Sequence, residues 1–142
     1  MSTDLIATAS ILTNASQEKT WDALINPDAI KQYMFGTTVT TGWREGKPIS
    51  WKGEWQGKPY EDTGIVLRFE PEDTLSYTHY SPLSGLPDTE ENHAVVTINL
   101  TSEATGTRIT LTQDHNATED AKAHSEKNWN MMLEGLKKYL EA

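Results

Sequence analysis

The sequence predicts an α+β fold in which an antiparallel sheet is covered on one face by a long C-terminal helix. Two observations carry this prediction. Residues 37–114 alternate between turn signals and short runs in which every second residue is apolar, which is typical of half-buried strands. Residues 120–141 carry an apolar stripe at helical spacing, and a sheet exposed on one face needs such a cover on the other. We expect one domain over residues 1–142, because this length suits a single core.

Two short helices are expected within residues 15–35, after the first strand. Asn14 and Gln17 have the spacing of a capping box for the first helix. Asn26 and Pro27 end that helix and begin the second, since asparagine caps well and proline suits a first helical position, where an N–H has no partner. The helices therefore stand between the first strand and the rest of the sheet.

Each strand is expected to bury alternate residues. The first strand covers residues 5–13, where the alternation is imperfect. The positions predicted to face the core are the odd residues of 49–55, 65–69, 75–79 and 108–113 and the even residues of 94–100. In the run 65–69 this assignment places Arg68 on the exposed face.

The last helix combines apolar and polar residues on one stripe. Its members are Ala121, Ser125, Asn128, Trp129, Met132, Leu133, Leu136 and Leu140. A curved sheet that wraps one helix often leaves a void, and polar groups on a buried face need partners. A bound ligand or trapped water is expected to supply them.

Composition and motifs exclude several classes of function. The chain has no cysteine, which excludes disulfides and thiol catalysis. Its net charge is −9 and no basic stripe occurs, so neither nucleic acid nor an anionic membrane is an expected partner. The acidic stretch 54–91 is expected to be a solvated sheet surface. We find no nucleophile elbow, nucleotide-binding glycine motif or metal-ligand spacing, and we expect no cofactor and no metal.

The expected location is the cytoplasm. No apolar run approaches the roughly 20 residues that a membrane span needs, and the first residues lack the basic and apolar segments of a signal peptide. We expect a monomer or a homodimer.

Five segments, taken in order and spacing, carry a resemblance to a known family. They are 14–24, 51–53, 70–77, 107–113 and 128–140, which include Asn-Ala-Ser-Gln-Glu-Lys-Thr-Trp and Trp-Lys-Gly. The chain resembles the START-like, birch-pollen-allergen-like (SRPBCC) superfamily and, within it, the family of activator of Hsp90 ATPase homologues. This resemblance implies the helix-grip fold, in which a seven-stranded antiparallel sheet is wrapped around a C-terminal helix. It also implies an internal hydrophobic cavity for apolar ligands.

A ligand site is expected between the sheet and the last helix. His79 shares its strand face with Leu75 and Tyr77, so it should point toward the cavity, where it could donate a hydrogen bond or act as a general base. The ligand-binding residues are expected to be Phe35, Trp51, Tyr77, His79, Val96, Ile98, Leu111, Gln113, Asn128, Trp129 and Met132. The loop 81–90 is expected to be either an ordered surface loop or a flap that closes the cavity mouth with Leu83 and Leu86.

The leading hypothesis for function is binding or transport of a small, largely apolar molecule, such as a lipid. The alternative is an enzyme of the cyclase, hydrolase or lyase type that uses the same cavity, and titratable groups inside the cavity would favour it. A third alternative is a cochaperone or other protein-interaction domain, which a nearly filled core with an apolar outer patch would favour. The first strand is expected to begin by residue 5, so nothing corresponds to the N-terminal domain of the namesake cochaperone. We therefore do not expect cochaperone activity.

Overall fold

A computed structural model of the chain has the predicted order of elements. The described residues are 5–34, 36–55, 57–80, 87, 93–116 and 118–141. The elements are β1 (Leu5–Thr13), α1 (Gln17–Ile25), α2 (Pro27–Tyr33), β2 (Thr38–Thr41), β3 (Pro48–Trp55), β4 (Lys58–Glu70), β5 (Thr74–His79), β6 (Ala94–Glu103), β7 (Gly106–Asn116) and α3 (Glu119–Glu141). Phe35 and most of the segment 81–92, including Leu83 and Leu86, lie outside the described residues, so the expected flap is not described.

The seven strands form one antiparallel sheet in the order β1-β7-β6-β5-β4-β3-β2. Each strand from β2 to β7 pairs with its neighbour in sequence, which is the usual arrangement of consecutive strands. The helices α1 and α2 carry the chain from β1 at one edge to β2 at the other. The α+β helix-grip fold, with two short helices after the first strand, is therefore confirmed.

The predicted cap of α1 is wrong by two residues. Ser16, and not Asn14, is the N-cap, and its Oγ accepts a hydrogen bond of 3.1 Å from the Lys19 N–H. The backbone N–H of Asn14 instead donates to the Glu141 carboxylate at the end of α3, at 3.0 Å. The second cap is confirmed, since the Asn26 side chain accepts from the Asp28 N–H at 2.9 Å and Pro27 follows it.

The predicted burial is confirmed on most strands and wrong on β4. Val66 is fully buried, whereas Ile65 and Leu67 are 46% and 42% exposed. The pairing of β4 with β5 shifts register between Val66 and Arg68, which resets the alternation within the strand. The apolar run 65–69 is therefore split between the two faces, with Phe69 half-buried on the core side.

The helix α3 lies on the core face of the sheet as one continuous element, as predicted. Its buried residues are Met132, Leu133, Leu136 and Leu140, all in its C-terminal half. Leu24, Ile30 and Tyr33 of the short helices belong to the same core cluster. Within the described residues, no helix is both long enough and apolar enough to cross a membrane.

Candidate functional site

The candidate site is a pocket of about 330 Å³ between the N-terminal half of α3 and the core face of the sheet. Its lining consists of Met34, Thr37, Glu54, Tyr60, His79, Gln113, Ser125, Asn128, Trp129 and Met132. Apolar, polar and titratable side chains thus meet in one concave space. Three larger depressions, of about 590 to 690 Å³, lie elsewhere on the surface, and none of them involves both α3 and the sheet.

The interior beneath this pocket is nearly filled. The space there measures about 30 Å³, which is about what one water molecule occupies in the liquid. Trp51, Tyr77 and Ile98 line it from the sheet and Met132 lines it from α3. The cavity therefore opens toward solvent at one end of α3 and does not extend along the helix.

The predicted site residues divide into four groups. His79, Gln113, Asn128, Trp129 and Met132 line the open pocket. Trp51, Tyr77 and Ile98 line the small interior space, while Val96 and Leu111 are fully buried in the core and line neither space. Phe35 lies outside the described residues.

Sequence reasoning missed Met34, Thr37, Glu54 and Tyr60 among the lining residues. One signal for Tyr60 was present, because Gly53 is a glycine within a strand pattern. Gly53 pairs with Tyr60, and a Cβ at Gly53 would stand 2.8 Å from the Tyr60 hydroxyl oxygen. The absence of a side chain at Gly53 lets the Tyr60 ring lie across β3, where its hydroxyl forms a 2.9 Å hydrogen bond with Thr37 Oγ1.

Trp129 joins α3 to the sheet at the pocket. Its indole Nε1–H donates to Gln113 Oε1 at 2.6 Å, and its ring is half-buried. Four residues earlier on the helix, Ser125 Oγ donates to Asn116 Oδ1 at 2.8 Å. Ser125 and Trp129 therefore find partners within the protein, where a ligand or water was expected to supply them. The exposed Asn128 side chain lies at the rim.

Asn116 fixes the end of β7 beneath this part of the helix. Its Nδ2 group donates to the carbonyl oxygens of Leu5 at 2.9 Å and Gln113 at 3.0 Å. The backbone N–H of Thr8 donates to the Glu126 carboxylate at 3.0 Å, which adds a second contact between α3 and β1. Polar contacts thus hold the N-terminal half of the helix above the sheet.

His79 forms a hydrogen bond with Asp62 across the strands β5 and β4. The distance from His79 Nε2 to Asp62 Oδ2 is 2.9 Å, and the side chains are 33% and 15% exposed. The His79 ring also stands edge-on to Trp51, with 5.1 Å between the ring centroids. Asp62 lies opposite Trp51 on the neighbouring strand β3. The side chains of Asp62 and Trp51 therefore position and orient the His79 imidazole from two sides.

Asp62 has one oxygen without a donor in the described part of the chain. Its Oδ1 is buried and makes no hydrogen bond there. A buried acceptor without a partner carries a desolvation cost. Among the described residues, the His79 imidazole therefore supplies the side-chain hydrogen bond that this carboxylate accepts.

Two buried tyrosines lie in the core near the pocket. Burial raises the pKa of the Tyr77 phenol above its ordinary value. The pKa of Tyr33 is raised mainly by burial, and the nearby Tyr77 and Tyr139 raise it further. The Tyr33 hydroxyl donates a hydrogen bond to the Ala23 carbonyl at 2.9 Å. Both phenols therefore remain neutral and contribute mainly apolar bulk and, for Tyr33, a hydrogen bond.

The charges around the pocket are few and acidic. Among the described residues, Glu54 is the only carboxylate in the lining, and none of them contributes a Lys or Arg side chain to it. Within the described ranges, no cluster of three or more His, Asp or Glu side chains has an arrangement that could hold a metal ion.

Comparison with known families places the whole architecture in context. The profile of the family described as "Activator of Hsp90 ATPase homolog 1-like protein" matches residues 14–141. No curated protein is similar enough to match the chain.

Among solved structures, the chain is similar to ChR145 from Cytophaga hutchinsonii, with 56% identity over 99% of this chain and 97% of that one and a TM-score of 0.87. It is also similar to Aha1 from Colwellia psychrerythraea, solved as a dimer, with 22% identity over 96% of each chain and a TM-score of 0.74. DynU16, a protein of the dynemicin biosynthetic locus, is 19% identical over 96% of this chain and 47% of that one, with a TM-score of 0.79. The last two comparisons show a shared fold.

Proposed function

The chain belongs to the Activator of Hsp90 ATPase homolog 1-like family, and we propose that it binds a small amphipathic molecule in the pocket between the sheet and the N-terminal half of α3. The observation that carries the proposal is the mixed lining of this 330 Å³ space. Small-molecule sites combine apolar walls with a few convergent polar groups, and this pocket has both.

The size of the pocket favours a compact ligand. Ligand pockets commonly measure about 300 to 1,000 Å³, and this one is at the lower end of that range. The interior void of about 30 Å³ offers no channel for a long acyl chain. We therefore favour a molecule of about one or two rings over an extended lipid.

The side chains of the pocket favour an amphipathic ligand over a purely apolar one. Met34 and Met132 supply flexible, polarisable walls that adapt to ring edges. Trp129 offers an aromatic surface, and Gln113 and Asn128 offer amide groups. This proposal sharpens the sequence-based hypothesis, which favoured a largely apolar ligand.

Two alternatives from the sequence analysis have different support. The hydrogen-bonded pair of His79 and Asp62 at the pocket favours the enzyme hypothesis as a second candidate, because a carboxylate-oriented imidazole is a common general base. The family name alone does not support a cochaperone role, since fold and family do not specify a partner. The oligomeric state, monomer or homodimer, stays a prediction.

Thermal shift and equilibrium dialysis with a panel of neutral one- and two-ring aromatics test the proposal. A ligand at 100 times its dissociation constant stabilises the folded state by about 2.7 kcal/mol, which raises Tm by several degrees. Fatty acids with long chains serve as the comparison set. We expect shifts with compact aromatics and much smaller shifts with fatty acids.

A matched pair of variants locates the binding site. Ser125→Trp places a large ring in the pocket, whereas Lys127→Trp adds the same ring at an exposed position of α3 outside the lining. We expect Ser125→Trp to abolish the shift and Lys127→Trp to keep it. Equal responses of the two variants, or no shift with any compound in the wild type, would contradict the proposal.

A further inference from the structure

We propose that the pair formed by His79 and Asp62 takes the proton of a weakly acidic hydroxyl group, so that the ligand of this pocket is a neutral phenol or enol. This inference rests on the proposed function, because it names the chemical class of the molecule that the same pocket binds. It goes further by assigning a proton-accepting role to one nitrogen of His79.

The hydrogen bond to Asp62 determines which nitrogen is free. A carboxylate can only accept, so His79 Nε2 donates the proton of the 2.9 Å contact to Asp62 Oδ2. In the neutral ring, the lone pair is then on Nδ1. Nδ1 makes no hydrogen bond to any described residue, and the His79 side chain lines the pocket with a third of its surface exposed. A basic nitrogen is therefore available to a bound ligand.

Asp62 places a counter-charge beside the His79 ring once a ligand has given up its proton. The Asp62 side chain is only 15% exposed, and its Oδ1 atom has no hydrogen-bond donor among the described residues. A carboxylate held in this way gains when the imidazole next to it becomes positive, as in other sites where a buried aspartate orients a histidine base. The Asp62 carboxylate thus lies 2.9 Å from the ring that receives the proton.

The proton transfer is balanced within the site. The O–H bond of the ligand breaks, its electron pair stays on the ligand oxygen, and a new N–H bond forms at His79 Nδ1. The ligand becomes an anion, the imidazole becomes a cation, and the Asp62 carboxylate keeps its charge. The total charge of the complex is unchanged, so the ion pair forms without any ion having to enter from water.

The remaining groups around the pocket explain why a neutral acid is favoured over an anion from solution. The described part of the lining contains no Lys or Arg, and it contains the acidic Glu54 of β3. The pocket residues of α3, which are Ser125, Asn128, Trp129 and Met132, carry no charge. An anion such as a fatty acid carboxylate would meet the acidic Glu54 in the lining and Asp62 behind His79, and the described lining residues offer no fixed cation to offset them. A phenol enters the pocket as a neutral molecule. The positively charged imidazolium that stabilises its phenolate forms only when the proton has moved to His79.

Nitrophenol absorbance tests this proposal directly, because the phenolate form has its own absorption band. We would use 4-nitrophenol, with 4-nitroanisole as the matched probe that has no acidic proton, and measure the binding of both by equilibrium dialysis. At a pH at which the free phenol is mostly neutral, we expect the wild-type complex to show a phenolate band. The ratio of ionised to neutral probe should rise about tenfold on binding.

Two variants assign the effect to the pair. His79→Gln and Asp62→Asn keep the size of each side chain, and their thermal melts check that they fold. We expect the fraction of 4-nitrophenol that dialysis shows to be bound by His79→Gln to lack the phenolate band, and Asp62→Asn to show a weaker band. A band that persists in folded His79→Gln would overturn the assignment.

Measurements on the wild type alone distinguish the proton-accepting role of His79 from the binding function of the pocket. If both probes bind and no phenolate band appears, the proton-accepting role is refuted and the binding function stands. If neither probe binds at the pocket, both proposals lose their support for aromatic ligands.

Discussion

The two halves of α3 face the same sheet in different ways. The C-terminal half buries four apolar side chains, Met132, Leu133, Leu136 and Leu140, over an interior with only about 30 Å³ of free space. The N-terminal half is held by hydrogen bonds from Ser125 and Trp129, with about 330 Å³ of open space beneath it. One helix therefore seals the core at one end and forms the roof of a pocket at the other.

The difference arises from what else packs against each half. Leu24 of α1 and Ile30 and Tyr33 of α2 fill the space next to the C-terminal half. Among the described residues, the segment of the two short helices contributes only Met34 to the N-terminal half, and polar contacts with β7 and β1 hold that half. In this protein the pocket lies where hydrogen bonds, and not apolar packing, hold the helix to the sheet.

The largest effect is expected from Leu136→Ala in the sealed half. Leu136 is fully buried, so truncation leaves a cavity and should lower the free energy of unfolding by about 2–5 kcal/mol. Urea denaturation measures the loss, and ligand affinity of the folded variant should be unchanged. A loss of less than about 1 kcal/mol would mean that the two halves are equally loosely packed.

The stability of the protein should also depend on pH, because two tyrosines are buried at the sealed half. Burial raises the pKa of Tyr33 and Tyr77 above the ordinary value of 10.0, so the folded state keeps protons that the unfolded chain releases. Stability that is fully present below about pH 10 should therefore fall as the pH rises further. Melting curves from pH 8 to 11 measure the fall. Tyr33→Phe should make it less steep, and an identical slope in this variant would contradict the assignment.

A smaller effect is expected from Trp129→Phe in the open half. The variant loses the hydrogen bond to Gln113, which costs about 1 kcal/mol of stability, and water at this half-exposed site offsets part of the loss. A double-mutant cycle with Gln113→Ala isolates the pair. A coupling energy of zero would show that this contact does not hold the helix above the pocket.

Local patterns in the sequence predicted most of the fold. The helical period of residues 120–141 and the alternation in 94–100 and 108–113 reflect burial on one face, and both predictions hold. The register shift at Val66 and Arg68 was missed because it depends on how β4 pairs with β5, which no local pattern encodes. The cap at Ser16 was missed because the end of α3 binds the backbone of Asn14.

The site was less accessible to sequence reasoning than the fold. His79 was placed correctly by its strand face, but its partner Asp62 lies 17 positions away and is brought near by the register of β4 and β5. The position of the pocket at one end of α3 depends on how fully Leu24, Ile30 and Tyr33 fill the other end. Packing of this kind is a property of volumes in three dimensions, which the order of residues does not display.

Methionine-methyl NMR tests most directly that the open half of the helix covers a binding pocket. Met34 and Met132 line the pocket, whereas Met131, the residue before Met132 in α3, is 47% exposed and outside the lining. With ¹³C-methyl methionine and a saturating aromatic ligand, we expect the Met34 and Met132 resonances to shift and the Met131 resonance to stay. A shift at Met131 alone, or unchanged Met34 and Met132 resonances in a protein that dialysis shows to be fully bound, would contradict the account.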